Sequence, residues 1–164
     1  MGPSDELQLQ AWRAVRRTYT GVGRALDAEL DRRTGLSLRA YEVLFLLGRA
    51  PGGAMRMSDL AASVLLSPSG MTRLADQLAG RGLIERQQAR SDARGQLAVI
   101  TGAGRTLGRK ASGVYQRVVM DHFGHRFTEG QLAAIEEALR GFSAEGSSPA
   151  PLPTNPSRRP RGAG

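Results

Sequence analysis

Hydrophobic positions with helical spacing dominate both ends of the chain. Within segment 5–34, apolar or aromatic residues recur every three or four positions, at Trp12, Val15, Tyr19, Val22, Leu26 and Leu30. The same period returns over 102–126. It appears again after "FTEGQL", in which Thr128 and Gln131 have the spacing of a capping box. These patterns predict long helices at both ends, each with one apolar face.

Between these ends the pattern is shorter. Ser37 and Ser67 are suited to capping helices over 38–49 and 68–80, and Ser58 begins a short helix, "SDLAASV". Two strand-like runs, "GLIERQ" and "QLAVIT", are joined by the polar segment "QARSDARG", which predicts a β-hairpin. The resulting order predicts an α+β fold that is mostly α. Because no βαβ unit occurs, the pattern excludes a doubly wound parallel sheet.

The two helices around "LLS" have the arrangement of a helix-turn-helix, and the hairpin is placed as its wing. One face of helix 68–80 is apolar. The opposite face carries short hydroxyls, an arginine and an amide, which are groups that bind phosphates and base edges. We therefore assign DNA contacts to Ser67, Ser69, Gly70, Thr72, Arg73, Asp76 and Gln77. An ordinary amphipathic surface helix has the same pattern, and that alternative stays open.

Two residues of helix 68–80 have particular expected roles. Gly70 is expected to allow close approach of the backbone to DNA. Asp76 would be repelled by phosphates, so we expect it to accept from a cytosine amine or to orient Arg73.

The tip of the hairpin is basic, which suits the negative potential of a narrow minor groove. The expected wing contacts are Arg86, Arg90, Ser91, Asp92 and Arg94. A solvated charged turn is the alternative.

Composition adds a net charge of +8, from 23 Lys and Arg residues against 15 Asp and Glu, which suggests a polyanionic partner. Much of the excess lies in 146–164, which has three arginines, five prolines and no acidic residue. We expect this tail to be disordered, either without a role or adding non-specific attraction to DNA. The chain has no cysteine, which excludes thiol chemistry. With no apolar run of ~18 residues, we expect a cytoplasmic protein.

The string "VITGAGRTLG" resembles the nucleotide loop of short-chain dehydrogenases, with Thr106 where a glycine belongs. Only helix is predicted after it, so the pattern favours Thr101 as an N-cap and Gly102 and Gly104 as a sharp turn that is a candidate hinge. No catalytic motif occurs, and His122 and His125 lack an acidic cluster. We expect no enzyme activity, no metal and no cofactor.

The run "LSPSGMTRLADQLAGRGLIERQQARSDARGQLAVITGAGRTL" resembles the winged helix-turn-helix of the MarR family of bacterial transcription regulators. The matching pieces are S-x-S-x-x-T-R-L, G-L-I-E-R, S-D-A-R and V-I-T-x-x-G, and the resemblance extends over 7–143. It implies an obligate homodimer on a pseudo-palindromic operator, usually a repressor released by a ligand. The implied units are a dimerisation helix (5–34), the winged domain (36–101, recognition helix 68–80, wing 86–97), further dimerisation helices (102–145) and the tail.

The resemblance also implies roles for single residues. Ser67, Ser69, Thr72 and Arg73 would face the major groove, Arg94 would enter the minor groove beside Asp92, and Arg86 would brace the wing or touch the backbone. Gly95 stands where the family often has a second basic residue. An effector pocket for a small organic acid or aromatic compound would be lined by Trp12, Arg16, Tyr19 and Tyr41, unless these only form core. Two other functions stay open: a winged-helix module that binds protein, and, less favoured, a nucleotide-dependent oxidoreductase.

Overall fold

A computed structural model describes residues 2–88 and 96–140. The helices are α1 (Pro3–Thr34), α2 (Leu38–Arg49), α3 (Met57–Ser63), α4 (Pro68–Gly80), α5 (Gly102–His122) and α6 (Glu129–Arg140). The strands are β1 (Ala54–Arg56), β2 (Ile84–Gln88) and β3 (Gln96–Ile100). The order of helices and the hairpin confirms the α+β, mostly α fold.

Side-chain caps set most of the helix starts. Ser37 accepts from the Ala40 amide at 3.2 Å, Ser67 from the Gly70 amide at 3.1 Å, and Thr101 from the Gly104 amide at 3.0 Å. Each satisfies an amide that has no partner within the helix. Thr128 and Gln131 form the predicted capping box, since each backbone amide donates to the side chain of the other residue.

Two boundaries differ from the prediction. Helix α3 begins at Met57, and Arg56 makes no side-chain cap there, whereas the Ser58 hydroxyl donates to the Asp59 carboxylate instead. Helix α5 ends at His122, because Phe123 leaves the helical region (φ −132°, ψ −61°) and a 3₁₀ turn, Gly124–Arg126, follows.

Strand β1 was not predicted. It pairs antiparallel with β3, which also pairs antiparallel with β2, so the sheet order is β1-β3-β2. Ala54 lies opposite Val99, and Ile84 lies opposite Ile100. The 3₁₀ turn before β1 places Gly53 at φ +73°, where an added Cβ would lie 2.1 Å from the Arg105 guanidinium. This turn brings β1 against the outer edge of the hairpin.

The core lies where α2, α3, α4 and the sheet meet the second half of α1 and the body of α5. The predicted apolar face of α4 is buried in it, through Met71, Leu74, Ala75 and Leu78. The ends of the chain are different. Trp12, Val15 and Tyr19 of α1 are exposed, and α6 buries none of its residues. Apolar faces at both ends are therefore uncovered within one copy of the chain.

Candidate nucleic-acid interface and adjoining cleft

Helix α4 presents a continuous polar face opposite its buried one. Its exposed members are Ser67 at the cap and Ser69, Thr72, Arg73, Asp76 and Gln77 along the helix. Because the buried positions recur every three or four residues, these side chains are forced outward together. The predicted recognition-helix residues thus share one surface, except Gly70, which is half-buried.

The start of α4 combines hydroxyls with the positive end of the helix. The Ser67 and Ser69 hydroxyl oxygens lie 3.2 Å apart, and the Thr72 hydroxyl donates to the Pro68 carbonyl at 3.0 Å. An added Cβ on Gly70 would lie 3.2 Å from the Ser67 hydroxyl and 3.8 Å from Leu66. Gly70 therefore makes room for the cap and for Leu66 rather than leaving a gap on the open side. A helix N-terminus of this kind can bind a phosphate.

Asp76 has a partner that sequence reasoning did not assign to it. Its carboxylate accepts from one guanidinium nitrogen of Arg86 on β2, and the other nitrogen of Arg86 donates to the Gln96 side chain on β3. Asp76 thus orients Arg86 and not Arg73. Within the described residues no ion pair holds Arg73, so its guanidinium is available to a ligand.

The two strands of the wing are described, but its tip is not. Arg90, Ser91, Asp92 and Arg94 lie outside the described residues, and their assignment stays a prediction. Arg86 lies at the base of the wing, where it joins α4 to both strands.

A cleft of about 1060 Å³ opens between α1, α2, α5 and α6. Of the four residues predicted for an effector pocket, Tyr19 lines it. Tyr41 is core, 1% exposed, with its hydroxyl 3.4 Å from that of Ser112. Trp12 and Arg16 lie on the exposed early turns of α1, outside the lining of the cleft. The structure does not bring these four residues together.

The wall of the cleft contains polar residues that sequence reasoning missed. Arg39 and Glu42 form an ion pair at 2.8 Å, and the Tyr115 ring lies 5.1 Å from that of Tyr41. Burial lowers the pKa of Arg39, but the hydrogen bond and charge of Glu42 outweigh it and the pKa is raised. Burial raises the pKa of Tyr115 to about 12. Tyr115 follows Ala111 by four positions on α5, a spacing that was visible in the sequence.

The two histidines do not form a metal site with their neighbours. The His125 imidazole is 3.7 Å from the Asp121 carboxylate, and both side chains are exposed. In the part of the chain that the structure describes, no three His, Asp or Glu side chains are grouped to hold a metal. No described helix has the length and apolar character needed to cross a membrane.

A family model described as "MarR family" matches residues 34–95, which span α2, the helix-turn-helix and the first strand of the wing. AbsC, a MarR family transcriptional regulator from Streptomyces coelicolor, has the same fold with a TM-score of 0.76. It is 27% identical, and the match covers 88% of this chain and 95% of AbsC. The chain is therefore similar in sequence over 34–95, and in fold over most of its length, to MarR family transcriptional regulators.

Two further solved structures of transcription regulators have the same fold. Sco3205 from Streptomyces coelicolor, solved in complex with DNA, is 25% identical with a TM-score of 0.77, covering 87% of this chain and 88% of its own. CouR from Rhodococcus jostii RHA1, bound to p-coumaroyl-CoA, shares the fold at 24% identity and a TM-score of 0.69, covering 80% and 90%. No curated protein matches the chain significantly. The proteins that the chain resembles are transcription regulators and not enzymes, in agreement with the expected regulator class.

The segment "VITGAGRTLG" joins the wing to α5. The Thr101 amide donates to the Leu83 carbonyl at 3.1 Å, and the Thr101 hydroxyl donates to the Gly82 carbonyl at 2.7 Å. An added Cβ on Gly104 would lie 2.0 Å from the Leu83 carbonyl oxygen, whereas one on Gly102 would meet nothing within 4 Å. Neither glycine has a positive φ, and Gly104 allows close packing of α5 on the Leu83 carbonyl just before β2 and on Ile100 of β3. The hinge role stays a prediction.

Proposed function

We propose that this chain is a homodimeric regulator that binds double-stranded DNA at a pseudo-palindromic operator, as a repressor that a small molecule releases. The observation that carries the proposal is the exposed polar face of α4 beside a hairpin braced by Arg86. A major groove admits such a helix. The DNA complex of Sco3205, a protein of the same fold, supports this function.

The proposed contacts follow from the positions of the side chains. Ser67, Ser69 and the free amides of α4 bind a phosphate, while Thr72, Arg73 and Gln77 face base edges. Asp76 and Arg86 act in this scheme as a brace between helix and wing. The tip of the wing supplies the minor-groove contacts, through Arg90, Ser91, Asp92 and Arg94.

Dimerisation is supported by the uncovered apolar faces. Leu7, Leu9 and Trp12 are exposed on the early turns of α1, outside the cleft, and α6 buries none of its residues. An amphipathic helix of 12 residues that buries nothing has little stability in water. A second copy of the chain that packs its own end helices on these faces would bury the exposed apolar side chains. The dimerisation units are therefore 5–34 and 102–145, with 36–101 reading DNA.

The cleft is the proposed effector site. Its lining is mostly apolar, and its polar groups include the cations of Arg24 and Arg39, the phenols of Tyr19 and Tyr115, and the carboxylates of Asp27 and Glu42. Two cations beside an apolar wall support an aromatic organic acid as the ligand. Two proteins of this fold have aromatic ligands: CouR binds p-coumaroyl-CoA, an aromatic acyl thioester, and 6-hydroxynicotinic acid regulates DNA binding by Bordetella bronchiseptica BpsR. Titration calorimetry with hydroxybenzoic and hydroxycinnamic acids tests the site, with Arg39→Gln as the variant that should bind less tightly.

Selection of bound duplexes from a random DNA pool tests DNA binding directly. We expect a palindrome with half-site centres about one helical turn apart. On that DNA, Arg73→Ala and Arg94→Ala should weaken binding, and if Arg94 neutralises a phosphate, its removal should flatten the salt slope by about one. Arg140→Ala on α6 is the matched control, since it removes one positive charge away from α4. Recovery of no sequence, with no salt-dependent binding, would instead favour the protein-binding module.

A further inference from the structure

The end of the recognition helix is tied to the end of α1 by one arginine. Arg81, which ends α4, donates from Nη1 to the Gly35 carbonyl at 2.6 Å and from Nη2 to the Thr34 carbonyl at 3.4 Å. Gly35 ends α1 in the left-handed conformation, at φ 64°. Both of these carbonyls face the Arg81 side chain.

The charge of Arg81 suits this position. The carbonyl end of a helix carries partial negative charge, and a guanidinium fork can donate to two carbonyls at once. The basic residues in the last turn of α1 itself, Arg32 and Arg33, are turned back to Glu29 at 2.9 and 2.7 Å. The Thr34 and Gly35 carbonyls are thus bound by an arginine of the winged domain.

A second bond fixes α1 to the winged domain nearby. The Leu38 amide at the start of α2 donates to the Asp27 carboxylate at 2.7 Å, about two turns before Gly35. The last turns of α1 are therefore held by the start of α2 on one side and by the end of α4 on the other. Rotation of α4 against α1 must break the Arg81 bonds.

We propose that Arg81 is a positioning residue that fixes the recognition helix against the dimerisation helix, and so sets the half-site spacing that the dimer accepts. This inference rests on the proposed function. Because α1 belongs to the dimer and α4 to the DNA surface, the angle between them determines the separation of the two recognition helices. Arg81 itself needs no contact with DNA in this role.

The first test does not need DNA. The chain has no cysteine, so nitroxide labels can be placed at Asp31→Cys on α1 and Arg73→Cys on α4 alone. Pulsed electron spin resonance on labelled chain diluted into unlabelled chain then gives the distance within one copy. We expect Arg81→Gln to broaden or shift this distribution and Arg81→Lys to restore part of it. Arg32→Gln, which also removes a cation from the end of α1, should leave it unchanged, and an unchanged Arg81→Gln distribution overturns the proposal.

The second test uses the selected operator with one base pair inserted between its half-sites. We expect Arg81→Gln to reduce the ratio of affinities for the native and the lengthened site by about fivefold or more. Arg32→Gln should keep the parent ratio. A purely stabilising role would lower both affinities equally, so an unchanged ratio overturns the proposal even if the distance distribution broadens. If the parent selects no DNA, the proposed function and the spacing role fail together, whereas the label distances still decide whether Arg81 fixes the helices.

Discussion

Arg86 on β2 is paired with Asp76 on the recognition helix, and its second nitrogen donates to Gln96 on β3. The Arg86 side chain is 29% exposed and that of Asp76 is 57% exposed, so the pair is partly shielded from water. One guanidinium therefore joins the helix and both strands of the wing. It fixes the angle between α4 and the wing.

Breaking this pair should weaken DNA binding, because the proposed scheme gives both residues a bracing role in place of the DNA contacts expected from the sequence. We expect Asp76→Asn and Arg86→Gln each to lower operator affinity. The double variant should bind the operator about as weakly as the weaker-binding single variant, because both substitutions remove the same ion pair. The coupling free energy should be about 0.5–1 kcal/mol, as for a partly exposed ion pair. Dissociation constants of the four proteins on one operator measure it.

Glu85→Gln, at the neighbouring position on β2, is the matched control for removal of a carboxylate. We expect Glu85→Gln alone to change operator affinity little. In combination with Arg86→Gln, the two changes in binding free energy should simply add. If Asp76→Asn instead raises affinity, Asp76 acts mainly by repelling phosphates, and the brace is wrong.

Gly104 should not tolerate a side chain. The Cβ of Gly104→Ala would lie 2.0 Å from the Leu83 carbonyl oxygen, which already accepts from the Thr101 amide. Because the clash is with backbone, α5 must move away from the turn that precedes β2. We expect a loss of about 1–3 kcal/mol in the free energy of unfolding. Urea unfolding followed by circular dichroism measures it.

Gly102→Ala provides the comparison two residues away. Its added Cβ meets nothing within 4 Å at the start of the same helix, where alanine is the better helix former. We expect equal or higher stability, by up to about 1 kcal/mol. Equal losses in the two variants would contradict the packing role of Gly104, and would leave only a general cost of altering this turn.

Local chemistry made much of this fold predictable. The caps at Ser37, Ser67 and Thr101 depend on a hydroxyl and an amide three residues later, so the sequence alone contains both partners. The buried face of α4 follows from its period in the same way. The three-residue strand β1 is too short for a period, and it exists because β3 offers it an edge.

The site was less predictable because its decisive contacts are distant in sequence. Ten positions separate Arg86 from Asp76, and 46 separate Arg81 from Gly35. Helical spacing also shows that Tyr41 and Tyr115 lie on apolar faces, but not which of the two reaches the cleft. Packing decides that Tyr41 is enclosed and Tyr115 lines the wall.

Leu65 carries local strain in the turn between α3 and α4. Its φ of 54° is left-handed, and its side chain is 75% exposed, so little packing compensates. The left-handed conformation costs an L-residue about 1–2 kcal/mol, but not glycine. We expect Leu65→Gly to be about 1 kcal/mol more stable than Leu65→Ala. Thermal unfolding of both variants at one protein concentration measures the difference. An alanine variant as stable as the glycine variant would show that the turn relaxes without strain.

Tyr115 should make the folded chain sensitive to alkaline pH. Burial raises its pKa from 10.0 to about 12, whereas in the unfolded chain the phenol ionises at its ordinary value. The stability linked to the neutral phenol is therefore complete below pH 10 and is lost as the pH rises toward 12. We expect the free energy of unfolding of Tyr115→Phe to fall less steeply than that of the parent over this window, by urea unfolding at fixed protein concentration. Tyr41→Phe should act in the same direction, since burial raises the pKa of Tyr41 as well. Parent-like slopes in both variants would show that neither phenol is held neutral by the fold.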